Sequence, residues 1–219
     1  FQNSNATWYW GVDDVAISSG SSPLPSPTNE PLYSNQWHLQ GTSQEGAKVN
    51  GAWAQTKPSG EHIYGTGIHI NIIDDGFEHA HPDLSPNYIA ASSWDYEDND
   101  GDPTPFSADA HGTASGGVAG GHGHNGVGIT GAAPNANLSG QRILTSNAYT
   151  VTNKAAALQY SVSSVDIYSN SWGPFDNGTI QPAPVEVLKV LKNGAENGRS
   201  GKGNIFTWAG GNGRTSDDN

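Results

Sequence analysis

Residues 67–76 read GIHINIIDDG and predict a strand followed by a turn. The β-branched run through Ile70, Ile72 and Ile73 favours a strand over residues 67–74. The Gly that follows the two acidic residues is typical of the point at which a chain leaves a sheet. A carboxylate, Asp74, therefore stands at the carboxyl end of a predicted strand.

Apolar strand-like runs alternate with helical stretches outward from this strand. Helices are predicted over residues 45–56, 111–120, 150–162 and 184–197, and further strands over residues 136–144, 165–169 and 204–209. Such alternation indicates an α/β fold with a parallel β-sheet and helices on both faces. In these sheets ligands and reactive groups lie at the carboxyl ends of the strands, which is where candidate site residues should be sought.

The amino-terminal region differs in composition from the rest of the chain. Residues 18–27, SSGSSPLPSP, carry no charge and alternate Ser with Pro, which predicts an interdomain linker. Residues 1–17 are aromatic and β-branched and fit one strand, which cannot satisfy its backbone alone. They are interpreted either as the terminal strand of an upstream β-sandwich domain or as an N-terminal arm, and residues 28–219 as the main domain.

Composition and charge exclude several classes of protein. The chain has 29 Gly, 13 Pro and only 34% hydrophobic residues among 219, which indicates a loop-rich globule without a membrane span. Its net charge of −12 makes nucleic acid an unfavourable partner and suits cationic peptides or calcium. The absence of Cys excludes disulfides and thiolate zinc sites.

Polar side chains that could take part in catalysis recur at the predicted strand ends and helix starts. Asp74 ends a strand, and His111 opens a Gly- and Ala-rich helix. A buried carboxylate beside an imidazole orients the ring and stabilises its charged form, as in a nucleophilic triad. Taken singly, such residues are more often caps, turn residues or structural groups. Their recurrence at one edge, with Asn170-Ser171-Trp172-Gly173 and with Asn212 after the last strand, favours catalysis.

The chain resembles the subtilisin-like serine proteases, and among them the kexin and furin type of proprotein convertase. The motifs that carry the resemblance run in order from about residue 29 to 219: EPLYSNQWHLQ, GAWAQ, GTGIHINIIDDGFEHAHPDL, HGTASGGVAG, NGVGITGAAPNANLSGQRIL, IYSNSWGPFDNG and GNIFTWAGGNG. The resemblance implies that Asp74 is the orienting carboxylate, His111 the general base and acid, and Asn212 the oxyanion donor. It also implies that Ser171, Trp172 and Gly173 bind the substrate backbone.

The sequence departs from this family at the nucleophile. The family's serine lies in a downstream G-T-S-x-x-x-P motif, which these 219 residues do not contain. The chain is therefore interpreted as the amino-terminal part of a catalytic domain, with an incomplete sheet and no competence alone. Either the remainder is supplied elsewhere, for example as a separate chain, or the protein has lost the chemistry.

Three acidic residues are candidates for selecting basic substrates. Asp75 and Asp109 place negative charge near the subsite that precedes the cleaved residue, and the resemblance implies that Asp176 lies in the primary pocket for Lys or Arg. Without the resemblance, the Asp176-Asn177-Gly178 sequence is simply a β-turn. Lys154 and Pro182 stand where the family reads more distant basic residues, which argues against a strict multibasic preference.

Two groups of oxygen ligands are candidate calcium sites. Residues 95–102 form an acidic loop that is interpreted either as a solvated turn or as a calcium loop. The resemblance implies calcium ligands at Asp95, Asp100 and Asp102. It implies a second site at Asp83 and Asn125, with Glu30 in place of the family's Asp.

Two functions from different classes remain open. The first is a calcium-dependent, secreted serine endopeptidase that cleaves peptides or proteins after basic residues. The second is a non-catalytic binding or structural component of an extracellular assembly on a subtilisin-like scaffold. The joint presence of Asp74, His111 and Asn212 favours the enzyme, because a scaffold needs none of these side chains.

Overall fold

The computed structural model describes residues 27–40, 46–106, 108–174 and 181–212. The predicted strand of residues 1–17 and nearly all of the predicted linker lie outside the described residues. The eight predicted elements are confirmed, most with shorter bounds. The strands are β1 His69–Asp74, β2 Trp94–Asp95, β3 Asn137–Arg142, β4 Ile167–Asn170 and β5 Ile205–Trp208, and the helices are α1 Val49–Trp53, α2 His111–Gly120, α3 Val151–Ala157 and α4 Val185–Gly201.

The strands form one five-stranded sheet in the order β2-β3-β1-β4-β5. Every pairing between neighbouring strands is parallel, which confirms the predicted sheet. In the register, Asp74 of β1 lies opposite Arg142 of β3, and Ile73 lies opposite Asn170 of β4. The carboxyl ends of these strands therefore meet at one edge. The strand β2, which was not predicted, is only two residues long.

The alternating side chains of β1 build two cores, one on each face of the sheet. On one face Ile72 packs with Phe77 and Leu138. The helix α2 covers this face, and a Cβ on its Gly116 would lie only 2.5 Å from the Phe77 ring. Such close approach explains why the helix is rich in glycine.

On the opposite face Ile73 packs with Leu158, Tyr168 and Val187. Val187 belongs to α4, and Leu158 directly follows α3. The prediction of helices on both faces is therefore confirmed. Within the described ranges, no helix combines the length and apolar character needed to cross a membrane.

Candidate active site

A buried carboxylate and an exposed imidazole meet where β1 ends and α2 begins. His111 Nδ1 lies 2.9 Å from Asp74 Oδ1 and 3.0 Å from Oδ2. The side chain of Asp74 is 1% exposed and that of His111 is 60% exposed. When Asp74 is ionised, its oxygens accept the proton of Nδ1–H, and the lone pair of the neutral ring is then on Nε2. This is the arrangement of a general base held by an orienting carboxylate.

Burial raises the pKa of Asp74, because desolvation disfavours the charged carboxylate. Two hydrogen bonds act in the opposite direction. Oδ1 accepts the backbone N–H of Asp75 at 2.8 Å, and the imidazole of His111 is the second donor. Asp74 therefore depends on its donors to remain ionised within the protein.

The close approach of α2 to the end of β1 requires a small residue after His111. A Cβ on Gly112 would lie 2.1 Å from the carbonyl oxygen of Gly76 and 2.6 Å from Cβ of Asp74. The carbonyl oxygen of Asp74 in turn accepts the N–H groups of Ile143 and Leu144, which follow β3. These contacts fix the positions of the carboxylate and the imidazole relative to each other.

Asp75 and Asp109, which are predicted to lie near the subsite that precedes the cleaved residue, have different environments. Both carboxylate oxygens of Asp75 accept backbone N–H groups of α2, from His111 at 3.1 Å and from Gly112 at 2.7 Å. Asp109 lies just before the helix, and its N–H donates to the carbonyl oxygen of Phe106. The Asp109 carboxylate has no hydrogen-bond or ion-pair partner among the residues that the structure describes. Of the pair, Asp75 is therefore the carboxylate that contacts the start of α2.

The segment Ser171, Trp172 and Gly173 leaves the sheet beside the Asp74 edge. It follows β4, which pairs directly with β1. The hydroxyl of Tyr149 donates to the carbonyl oxygen of Gly173 at 3.0 Å. The Trp172 ring lies edge-on to Trp208 of β5, with centroids 5.3 Å apart. The aromatic packing on one side of this segment holds it beside the carboxyl end of β1.

A lysine stands against this aromatic group. The Lys154 Nζ lies 3.3 Å from the centroid of the Tyr149 ring and 5.7 Å from that of Trp172. Burial lowers the pKa of Lys154. The cation is thus placed close to the segment that contains Trp172 and Gly173.

Of the two remaining predicted site residues, Asn212 lies within the described residues and Asp176 does not. Asn212 follows β5, on the same edge as Asp74 and with β4 between the two strands. Asp176 lies outside the described residues, and its predicted contact with a basic side chain stays a prediction.

Two buried carboxylates and an amide form the first candidate calcium site. Glu30 is 4% exposed and Asp83 is 2% exposed. Glu30 Oε1 accepts the N–H of Asn125 at 3.1 Å, and Asp83 Oδ1 accepts from the Asn125 amide at 3.0 Å. The other oxygen of Glu30 is buried and has no hydrogen-bond partner among the described residues. An oxygen-rich site with an unsatisfied buried carboxylate oxygen fits a hard cation such as calcium.

The acidic loop is arranged differently. Asp95 Oδ2 lies 2.6 Å from Nη1 of Arg142, and both side chains are 1% exposed. Asp100 Oδ1 accepts the N–H of Asp102, whose own Oδ1 accepts from Thr104. Among the described residues, no group of three or more His, Asp or Glu side chains has an arrangement that could hold a metal ion. A guanidinium, backbone N–H groups and a Thr hydroxyl contact the oxygens of this loop, and the assignment of Asp95, Asp100 and Asp102 as calcium ligands stays a prediction.

Sequence reasoning missed two roles for which signals existed. Ala110, the residue before α2, provides no side-chain cap, so another acceptor was required for the first N–H groups of this helix. Asp75 is that acceptor. Arg142 is a cation within a predicted strand of an acidic chain, and a buried guanidinium requires a carboxylate partner.

The fold and this edge define a class of protein. A parallel sheet covered by helices on both faces, with a strand-end carboxylate orienting a helix-start histidine, is the arrangement of the subtilisin-like serine proteases. Residues 65–219 match the model of the subtilase family, Peptidase S8. The chain belongs to this family.

Curated relatives of the kexin and furin type match most of the chain. It is 40% identical over 195 residues to the PC3-like endoprotease variant B of Hydra vulgaris, covering 87% of this chain and 27% of that protein. It is 40% identical over 196 residues to kexin of Saccharomyces cerevisiae, covering 87% and 23% respectively. Furin of Rattus norvegicus is 35% identical over 209 residues, covering 93% and 26%. The chain thus spans about a quarter of the length of these relatives.

Solved structures show the same fold. The serine protease of Aeromonas sobria, in a complex with the chaperone ORF2, superposes with a TM-score of 0.67 at 25% identity. The match covers 91% of this chain and 34% of that protease. A protease from Pseudoalteromonas arctica PAMC 21717 has a TM-score of 0.67 at 20% identity, covering 85% of this chain and 60% of that one. The second likeness concerns the fold alone.

Proposed function

We propose that the protein to which this chain belongs is a calcium-dependent, secreted serine endopeptidase that cleaves peptide bonds after basic residues. The observation that carries the proposal is the contact between the exposed imidazole of His111 and the buried carboxylate of Asp74. Membership of the subtilase family supports the reaction class. The similarity to kexin and furin supports the kind of substrate.

In the proposed reaction His111 acts twice. Its Nε2 accepts the proton of the nucleophilic serine as the serine oxygen attacks the scissile carbonyl, and the imidazolium then gives this proton to the leaving amine. Asp74 stabilises the imidazolium without becoming protonated. Water subsequently attacks the acyl-enzyme with His111 again as base, which releases the acid product and restores the serine. The serine itself belongs to the family motif that is not contained in these 219 residues.

Asn212 is proposed to stabilise the charge that develops on the carbonyl oxygen. A side-chain amide that donates to this oxygen acts on the tetrahedral intermediate more than on the bound substrate. Removing one such donor costs about 3 kcal/mol of transition-state stabilisation. The location of Asn212 after β5, at the edge that carries Asp74, supports this role.

The preference for basic residues rests on charge. The chain has a net charge of −12, and the Asp109 carboxylate has no partner among the residues described by the structure. Asp176 is proposed to line the primary pocket, where a desolvated carboxylate favours Arg or Lys over an apolar side chain. Together these groups attract cationic peptides to the Asp74 edge.

Calcium would be held by Glu30, Asp83 and Asn125. Bound there, the cation would neutralise two buried carboxylates and stabilise the native state. Secretion is part of the proposal, since extracellular calcium concentrations are high enough to fill such a site even if its affinity is low.

The proposal is tested with the complete protein and a set of peptides that differ only at the scissile residue. Saturating calcium keeps the proposed calcium site equally occupied in every assay. We expect cleavage after Arg or Lys to exceed cleavage after Leu by about a thousandfold in kcat/KM, since an apolar occupant leaves the Asp176 charge unpaired. Cleavage after Leu at the same rate would contradict the basic preference. Binding of the peptides without any cleavage would favour the non-catalytic alternative.

A further inference from the structure

We propose that Asp75 is a positioning residue for His111, in addition to any contact that its carboxylate makes with a substrate side chain. This inference rests on the proposed protease function. Asp75 Oδ2 accepts the backbone N–H of His111 at 3.1 Å, and Oδ1 accepts that of Gly112 at 2.7 Å. One carboxylate therefore bridges the first two N–H groups of the helix that carries the catalytic base.

This bridge meets a requirement of the helix. The first N–H groups of an α-helix have no partner within it and are usually satisfied by a side chain at the preceding position. Ala110 occupies that position and makes no side-chain cap. A carboxylate at a helix N-terminus also interacts favourably with the helix dipole. Asp75 thus provides the cap from a strand end that is 36 residues away in the sequence.

The position of the His111 ring depends on few contacts. Its side chain is 60% exposed, so packing contributes little to the orientation of the ring. Asp74 holds the ring through Nδ1, and Asp75 holds the backbone of the same residue. The two residues are themselves linked, because Asp74 Oδ1 accepts the backbone N–H of Asp75 at 2.8 Å. Two adjacent residues at the end of β1 therefore hold both the ring and the backbone of His111.

The carboxylate of Asp109 provides a control for that of Asp75. Asp109 has no partner among the described residues and is available to a cationic substrate side chain. Asp75 already accepts two N–H groups. Loss of Asp75 should lower the turnover of every substrate, whereas loss of Asp109 should impair basic ones selectively.

The experiment compares Asp75→Ala, Asp75→Asn and Asp109→Ala in the complete protein with calcium. The two peptides share Arg at the scissile position and have either Lys or Ala immediately before it. We expect Asp75→Ala to lower kcat about a hundredfold for both peptides, with little change in KM of the Ala peptide, since a small displacement of a catalytic group has an effect of this size. Asp75→Asn should recover part of the loss, because its amide oxygen still accepts one N–H. Asp109→Ala should act mainly on KM of the Lys peptide.

Amide hydrogen exchange gives a readout that does not depend on turnover. We expect Asp75→Ala to accelerate exchange at His111 and Gly112 in the folded protein, and Asp109→Ala not to do so. The inference is overturned if Asp75→Ala leaves exchange unchanged, or if Asp75→Ala and Asp75→Asn impair only the Lys peptide. If Asp75→Ala does not fold, the kcat and exchange of Asp75→Asn decide in the same way. Failure of the unmodified protein to cleave either peptide would instead contradict the proposed function.

Discussion

The Nδ1 atom of His111 lies 2.9 Å from Oδ1 of Asp74, although the two residues are 37 positions apart in the sequence. The parallel sheet produces this contact, because β1 delivers the carboxylate to the edge at which α2 starts. The carboxylate is desolvated while the ring remains open to solvent. Such a pair can take up and release a proton at the exposed end of the ring.

Asp74→Asn is expected to reduce catalysis without unfolding the protein. An amide at this position favours the wrong imidazole tautomer, and the equivalent change in a serine-protease triad lowers kcat by about 10⁴-fold. Steady-state kinetics and thermal melts of the complete protein measure the two effects. Glu196→Gln, at an exposed ion pair with Lys192, is a matched removal of one carboxylate and should change neither. Near-normal kcat for Asp74→Asn would remove Asp74 from the proposed role.

Chelation of calcium should lower the melting temperature of the protein. A ligand present at 100 times its Kd stabilises the native state by about 2.7 kcal/mol. Asp83→Asn should abolish this calcium-dependent increment, because Asp83 is one of the two buried carboxylates of the proposed site. Glu196→Gln is the control and should retain the increment, since Glu196 is an exposed carboxylate on α4 that belongs to neither predicted calcium site. Identical melts with calcium and with chelator would contradict the site.

The ion pair between Arg142 and Asp95 should contribute strongly to stability. Both side chains are buried, and removing one partner of such a pair typically destabilises a protein by about 3–5 kcal/mol. We therefore expect Asp95→Ala to lower the free energy of unfolding by this amount in urea titrations of the complete protein. Asp98→Ala is the control, because Asp98 contacts the same guanidinium but is 58% exposed, and it should cost at most about 1 kcal/mol. Equal effects of the two substitutions would show that burial does not determine the contribution.

His69 should make stability depend on pH. Its ring is buried in β1 and contacts the hydroxyl of Ser139 at 2.9 Å. Desolvation lowers the pKa of His69, against the opposing charge of Asp166. A lowered pKa means that the unfolded chain binds the proton more readily than the folded one. The stability associated with the neutral ring is therefore present above about pH 6.5, the ordinary pKa of His, and decreases as pH falls towards the lower pKa of the folded state.

The measurement is the free energy of unfolding of the unmodified protein and of His69→Gln between neutral and mildly acidic pH. We expect the difference between the two to shrink as the pH falls. A difference that stays constant over this range would show that His69 does not titrate differently in the two states.

Local sequence patterns predicted the elements but not the partners of the charged groups. The alternation of apolar runs placed β1 and α2 correctly, and the strand-end rule located Asp74. The bridge from Asp75 to α2 and the pair of Arg142 with Asp95 join residues 36 or more positions apart. Which carboxylate meets which donor depends on the register of the sheet, and no local pattern contains that register. The same reason explains why the contact of the acidic loop with the Arg142 guanidinium could not be predicted from the sequence.

The assignment of His111 as the catalytic base is decided by one comparison in the complete protein. The quantity is kcat for a peptide with Arg at the scissile position, measured for the unmodified protein and for His111→Ala with matched thermal melts. Because His111 is largely exposed, the substitution should leave the protein folded, and the melts check this. We predict a loss of about 10⁶-fold in kcat, as expected when the histidine of a serine-protease triad is removed. A folded His111→Ala protein that cleaves the peptide at an undiminished rate would contradict the assignment.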